Sequence, residues 1–295
     1  MLLTGLLVAA MAASTFVGVA RQTGAQSVPS LAPDQVPAIV ARAIRNQHKD
    51  DAALEEYEFT EREVTRGKDG ATSERIARVV PHGTGNFRIE LARNGMPTGA
   101  ASLETQWHNV AQALAAYGDA GNPRVQQDRD KAAKQRRECD RLEDAIGKAF
   151  RFHWVRRTMR EQRALVELSF EPDPAYKPSV HFSSVYAHIR GTAWVDEPSG
   201  HVARVEAALF EDVPFVGGLV AKIYRGGKLM IEQAEVAPDV WAPTHYSLDL
   251  DGRKFLFGFS LHQQIDMSAH LRVGPPHETL AMIERDHPGA ITGNR

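Results

Sequence analysis

The sequence predicts an α+β fold, a large and mostly antiparallel β-meander with helices laid against it. Three observations carry this. Turn pairs Asp69-Gly70, Asn94-Gly95, Ser199-Gly200, Gly226-Gly227 and Asp251-Gly252 separate runs of alternating apolar and polar residues, the signature of hairpins. Between the early and late strand signals lies a segment, 102–149, rich in Ala, Gln and charge, which reads as helix. Several strands carry one strongly apolar face, which other elements must cover.

Taken in order, residues 1–27 read as a secretory signal peptide: no charge precedes Arg21, and Gly18-Val19-Ala20 and Ala25-Gln26-Ser27 are small-x-small patterns. An uncleaved N-terminal anchor is the alternative. A Pro-containing linker, 28–37, leads into a single domain over 38–270. This domain opens with a short amphipathic helix that places Ile39, Ala43, Ile44 and Leu54 on one face. Within the helical insertion, Leu103, Trp107, Val110, Leu114 and Tyr117 form an apolar stripe, and "YGDAGNP" breaks the helix. A second helix follows with Val125, Ala132, Cys139 and Ile146 at intervals of seven. Its stripe is thin, as expected of a helix lying over a surface. Strands resume at "FRFHWVRRTM" and "ALVELSF", and a polar tail, 271–295, holds a short helix around Leu280 to Ile283.

Two hairpins yield a register. Gly200 in a left-handed conformation closes a three-residue loop that pairs Glu197 with His201, Val195 with Ala203, Ala193 with Val205, Trp194 with Arg204 and Thr192 with Glu206. The apolar side then carries Ala193, Val195 and Val205, and Trp194 meets Arg204 as a cation–π pair. Reading Asp251-Gly252 as a two-residue type I′ turn sets Leu248 opposite Phe255, Tyr246 opposite Phe257 and Thr244 opposite Phe259.

The chain has 295 residues, 43% hydrophobic and 24% charged, and a formal net charge of −2, which argues against nucleic acid as a partner. One cysteine, Cys139, allows no intrachain disulfide and lies too far from the signal segment for lipid attachment after cleavage. No catalytic residue is assigned. "RGGKL" lacks the frame of a P-loop, and "GFSLH" places Ser260 inside a strand rather than on a nucleophile elbow. Asp196 and Glu197 are adjacent at a strand end and point apart. No metal or cofactor is expected: "PPHETLAM" has His277-Glu278 without a second His, and His181 and His188 specify little. "SLDLDGR" reads as a hairpin rather than a calcium loop, and "KAAKQRRECDR" as a solvated helix face.

The stretch "GTAWVDEPSGHVARVEA", with its G-x-x-W-V-D, Ser-Gly turn and R-x-E-A, resembles the hairpin of the periplasmic lipoprotein-carrier (LolA-like) superfamily and its outer-membrane lipoprotein-sorting relatives. "GGKLMIEQAEVAPDVWAPTHYSL" is similar to the closing strands of that group, so the resemblance spans roughly residues 35–270. It implies a half-open β-barrel capped by helices that carries acyl chains of lipoproteins or other lipids. No carrier's functional arginine maps onto a position here, and the charged segment 124–148 departs from the carriers.

The expectation is a non-enzymatic, periplasmic or exported protein that shelters an apolar ligand, a lipid or lipoprotein acyl chain, without a cofactor. Ligand-lining candidates are Trp107 and Leu114 from the helices and Ala193, Val195 and Val205 from the first hairpin. Tyr246, Leu248, Phe255, Phe257 and Phe259 complete them from the second. The alternatives are an ordinary filled core, an envelope sensor or module that binds another envelope protein, and a hydrolase using rim His and Asp residues.

Overall fold

A computed structural model describes residues 34–289 except 68, 119–120, 180–181, 216–220 and 256; the expected signal peptide, most of the linker and His181 lie outside the described residues. The order is α1 (Gln35–Ala53), β1 (Tyr57–Arg66), β2 (Thr72–Pro81), β3 (Asn86–Arg93), β4 (Met96–Pro97), α2 (Ala100–Tyr117), α3 (Pro123–Ala149), β5 (Phe150–Arg160) and β6 (Arg163–Pro172). A short 3-10 helix, Ser183–His188, precedes β7 (Ile189–Asp196), β8 (Val202–Leu209), β9 (Val213–Phe215), β10 (Ala221–Ile223), β11 (Lys228–Ala237), β12 (Val240–Lys254), β13 (Phe257–Arg272) and α4 (Pro276–Asp286). Thus α1 begins inside the expected linker, β13 enters the expected tail and α4 lies within it.

Among the described residues, thirteen strands form one antiparallel sheet in the order β4-β3-β2-β1-β13-β12-β11-β8-β7-β6-β5, with β10 pairing β12 and β9. The two edges, β4 and β5, do not meet, so the sheet is open, a half-barrel that helices cap. Chain order explains this topology: successive hairpins build each half, and β13 returns to pair β1, joining the first strand to the last.

Two helix pairs cover two stretches of the inner face. α2 and α4 lie on β2 and β3, where Val80, Ile89, Trp107, Val110, Leu114 and Ile283 form one core. The stripe read from sequence is the packed one, and the Trp107 ring stacks on His287 at 4.0 Å. α3 starts with Asn122 accepting from the Arg124 amide and Pro123 in its first turn. Only its second half is well buried, through Cys139, Leu142, Ala145 and Ala149. That half and α1 lie over the β5–β8 and β11 side.

The first hairpin has the expected register at Ala193–Val205, Trp194–Arg204 and Thr192–Glu206, with Gly200 at φ +75° and the Arg204 guanidinium 5.8 Å from the Trp194 ring. A bulge then shifts Val195 from Ala203 to Val202. The second hairpin differs. β12 runs straight through Asp251-Gly252, Tyr246 pairs Ile265, Leu248 pairs Gln263, and Lys254 pairs Phe257. Gly252 is not a turn residue. A Cβ there would stand 2.5 Å from the Phe259 ring and 2.6 Å from the Lys222 carbonyl oxygen, so glycine lets β10 and Phe259 close on the strand. The actual reversal follows Lys254, with Phe255 at φ +53°.

Candidate functional site

Between the inner sheet face and the helices α1 and α3 lies an apolar cavity of about 130 Å³. The aromatic end of its wall is Phe150 and Phe152 of β5 with Phe170 of β6 and Tyr186 of the 3-10 helix. Their ring centroids are 5.1 Å apart for Phe150–Phe170 and 5.3 Å for Phe150–Tyr186, a tilted and edge-on cluster. Small side chains, Ala193 and Val195 of β7 with Val205 and Ala207 of β8, line the stretch where these strands meet, and Leu168 of β6, Ile189 of β7 and Leu229 and Ile231 of β11 line the rest of the sheet side. Because β7 and β8 pair closely here, a Cβ on Gly191 would sit 2.0 Å from the Glu206 carbonyl oxygen.

The roof is Val40, Ala43 and Ile44 of α1 with Ile146 of α3. Two polar side chains meet the cavity, Gln47 of α1 and Glu143 of α3, and both are engaged. Gln47 Oε1 accepts from Gln233 Nε2 at 3.0 Å while its Nε2 donates to Asp51 at 2.8 Å. Glu143 is 3.7 Å from the His48 ring, which is also 3.2 Å from Asp144. The Tyr186 hydroxyl donates to the Leu142 carbonyl at 3.0 Å, and burial raises its phenol well above the ordinary range.

α1 is held to the sheet by a row of polar side chains one turn apart. Arg42 Nη2 donates to the Pro198 carbonyl at 2.8 Å and Asn46 Nδ2 to the Ser199 carbonyl at 3.0 Å. Asp50 Oδ1 accepts from the Trp241 amide at 3.0 Å, and its Oδ2 is 3.4 Å from His201 Nε2. The His201 ring stacks on Trp241 at 5.3 Å. Burial pushes the Asp50 carboxyl up to about 7 and the His201 imidazole down, so both shifts favour a neutral pair over an ion pair.

The expected lining residues divide. Ala193, Val195 and Val205 line the cavity. Tyr246 and Leu248 are buried next to it in the same core, opposite the lining residues Ile231 and Leu229 of β11, and Phe259 packs partly buried against that core. Trp107 and Leu114 belong to the separate core under α2 and α4. Phe255 and Phe257 stand at the hairpin end, 55% and 79% exposed, because β12 turns four residues later than the glycine suggests. The β5 and β6 aromatics, Tyr186 and the α1 tether were missed. The alternation in "FRFHW" and "ALVELSF" marks the former, but only strand order places them beside β7.

The titratable residues singled out in the sequence do not converge. Asp196 Oδ2 accepts from the Ser199 amide and hydroxyl, at 3.0 and 2.6 Å, while Glu197 accepts from Arg157 at 2.9 Å. Ser260 Oγ donates to Asp251 at 2.5 Å and His262 meets Asp249 at 2.6 Å, so the serine has a carboxylate, not an imidazole, as its partner. Among the described residues, no cluster of His, Cys, Asp and Glu could hold a metal ion, and no helix is long and apolar enough to cross a membrane.

No family model and no curated protein matches the chain. Among solved structures, it is similar to a domain described as an outer membrane lipoprotein-sorting protein from Vibrio parahaemolyticus, with 10% identity, 83% of this chain and 100% of that chain covered, and a TM-score of 0.31. It is also similar to a DUF1329 family protein from Desulfovibrio piger (13% identity, 80% and 92% covered, TM-score 0.28). A LolA superfamily protein from Nitrosomonas europaea gives 12% identity, 82% and 96% covered, and a TM-score of 0.28. The architecture given above rests on the chain's own strand order and register.

Proposed function

We propose that this chain is an exported, non-enzymatic binding protein that shelters an apolar group, an acyl chain of a lipid or lipoprotein, between α1, α3 and the inner sheet face. The supporting observation is the cavity itself: apolar on nearly every side, walled by small residues where β7 and β8 meet, and closed by helices rather than by sheet. At about 130 Å³ it is close in size to engineered apolar cavities of about 150 Å³ that stay dry and take up benzene. It therefore accepts the end of an acyl chain, about four methylenes. A longer chain enters as α1 moves aside, and release is partition, with no bond made or broken.

The test has two parts. Organic extracts of the purified protein, analysed by mass spectrometry, should contain acyl lipid, and a fluorescent fatty-acyl probe should bind saturably and be displaced by unlabelled fatty acid. Ala193→Phe fills the cavity where Ala193 sits between its strand partners Leu168 and Val205. It should abolish probe binding while costing about 1–3 kcal/mol of stability for overpacking. A lipid-free protein without saturable probe binding, or a variant that binds as the wild type does, would overturn the reading.

A further inference from the structure

We infer that the end of the β12–β13 hairpin is a membrane-docking tip, which enters the headgroup region of a bilayer containing anionic lipid. Phe257 is 79% exposed and Phe255 55%, large apolar side chains at the far end of a projecting strand pair. Phe257 pairs with Lys254, as Phe259 does with Gly252 and Leu261 with Leu250, so Phe257 continues the apolar column of the inner face past the rim. An aromatic ring left in water there loses nothing by entering an interface, where aromatic residues concentrate.

Cations surround the rings. β10 pairs antiparallel with the end of β12, setting Lys222 beside Arg253 and Ala221 beside Lys254, and the next turn adds Tyr224, 38% exposed, and Arg225. Three carboxylates lie near them: Asp212 pairs with Lys222 at 2.7 Å, Glu211 precedes it, and Asp251 accepts from Ser260. Of the cations, Arg253 and Lys254 stand nearest the rings, in a positive collar whose long side chains reach headgroup phosphates while their stems stay apolar. This pattern selects a lipid surface over a second copy of the chain. Two copies would press like-charged collars together, and two phenyl rings and a tyrosine fall far short of the ~1,200 Å² of a stable interface.

The inference stands apart from the acyl reading, since the tip would dock whether or not the cavity is filled. It is tested on the full chain with vesicles of phosphatidylcholine alone and with about a third phosphatidylglycerol. The N-terminal apolar run is common to all variants, so differences report the tip. Phe257→Trp should add emission that shifts to the blue with anionic vesicles and is quenched by brominated lipid, against the wild type as baseline. The double change Phe255→Ser and Phe257→Ser should weaken binding by tenfold or more, about the loss for withdrawing phenyl rings from an apolar phase. Lys254→Glu should weaken it about fivefold at low salt and less at high salt. Emission at position 257 that ignores the quencher, or a serine variant that binds vesicles like the wild type, would overturn the proposal. So would a serine variant that turns a dimer into a monomer, which would make a second copy the occupant. Acyl-probe binding by the serine variant, measured in parallel, is expected unchanged and keeps the two readings separate.

Discussion

Asp50 is a buried carboxyl on α1, the helix over the cavity, with one oxygen on the Trp241 amide and the other facing an imidazole rather than a cation. Its pKa rises from 3.8 unfolded to about 7 folded because burial penalises the anion. The folded state therefore binds the proton more tightly. The stability this carboxyl contributes is fully present below 3.8 and is lost as pH rises through about 7. His201 acts in the other direction: its folded pKa is lowered, so its contribution is present above 6.5 and lost as pH falls. Asp50→Asn keeps an acceptor for Trp241 and cannot ionise. The stability of the wild type relative to this variant, from urea unfolding at about pH 5 and about pH 8, should fall with rising pH. A difference independent of pH would mean that Asp50 does not titrate in this window. Sequence gives no hint of this residue's role, since an Asp in a helix reads as solvated until the helix has a partner.

Two glycines separate what local sequence can and cannot specify at the level of elements. Gly200 is left-handed as the turn requires, but Asp196 rather than Glu197 meets His201, so the loop is one residue longer than the expected three, and the bulge at Val195 restores the Trp194–Arg204 pairing that the turn predicts. Asp251-Gly252 looks equally local and is not, because its glycine answers to β10 and to the Phe259 ring, and β10 is three residues long with no pattern to announce it. That one misreading moves Phe255 and Phe257 from an inner wall to an exposed tip. Helices fared better: the stripe from Leu103 to Tyr117 and the sevenfold spacing from Val125 to Ile146 are period signals that survive packing, though not which stretch of sheet each helix covers. Gly191 is a third case, silent in sequence. Its Cβ-less site lets β7 approach β8 beside the cavity, where a Cβ would meet the Glu206 carbonyl oxygen, a backbone atom that cannot rotate away, and then the Phe170 ring at 2.8 Å. Gly191→Ala should therefore lower the denaturation midpoint by the equivalent of about 1–3 kcal/mol, measured by urea titration. A neutral result would show that the hairpin opens freely at that point.

At the scale of the whole molecule, the proposed acyl binding depends on whether α1 stays down or lifts. Arg42 and Asn46 donate to the turn after β7, and Gln47 and Asp50 accept from Gln233 of β11 and Trp241 of β12, so four hydrogen bonds hold the helix down. At about 1 kcal/mol net for each, lifting the helix costs about 4 kcal/mol, before any apolar contact is counted. Each further methylene buried contributes about 0.8 kcal/mol, so about five beyond those the closed cavity accepts offset the tether. Chain-length dependence follows from these two magnitudes. Short acyl probes should bind weakly to the closed form with affinity that soon levels off, and affinity should climb again once the chain is long enough to lift α1. Arg42→Ala with Asn46→Ala removes the two contacts at the turn without touching the cavity wall. It should strengthen binding of long probes by about tenfold or more, the equivalent of about 2 kcal/mol, and leave short probes unchanged. Titrating a series of fatty acids of rising length against both proteins checks this. An equal gain at every length would place the tether's effect on the cavity rather than on the lid, and α1 would then be a fixed wall.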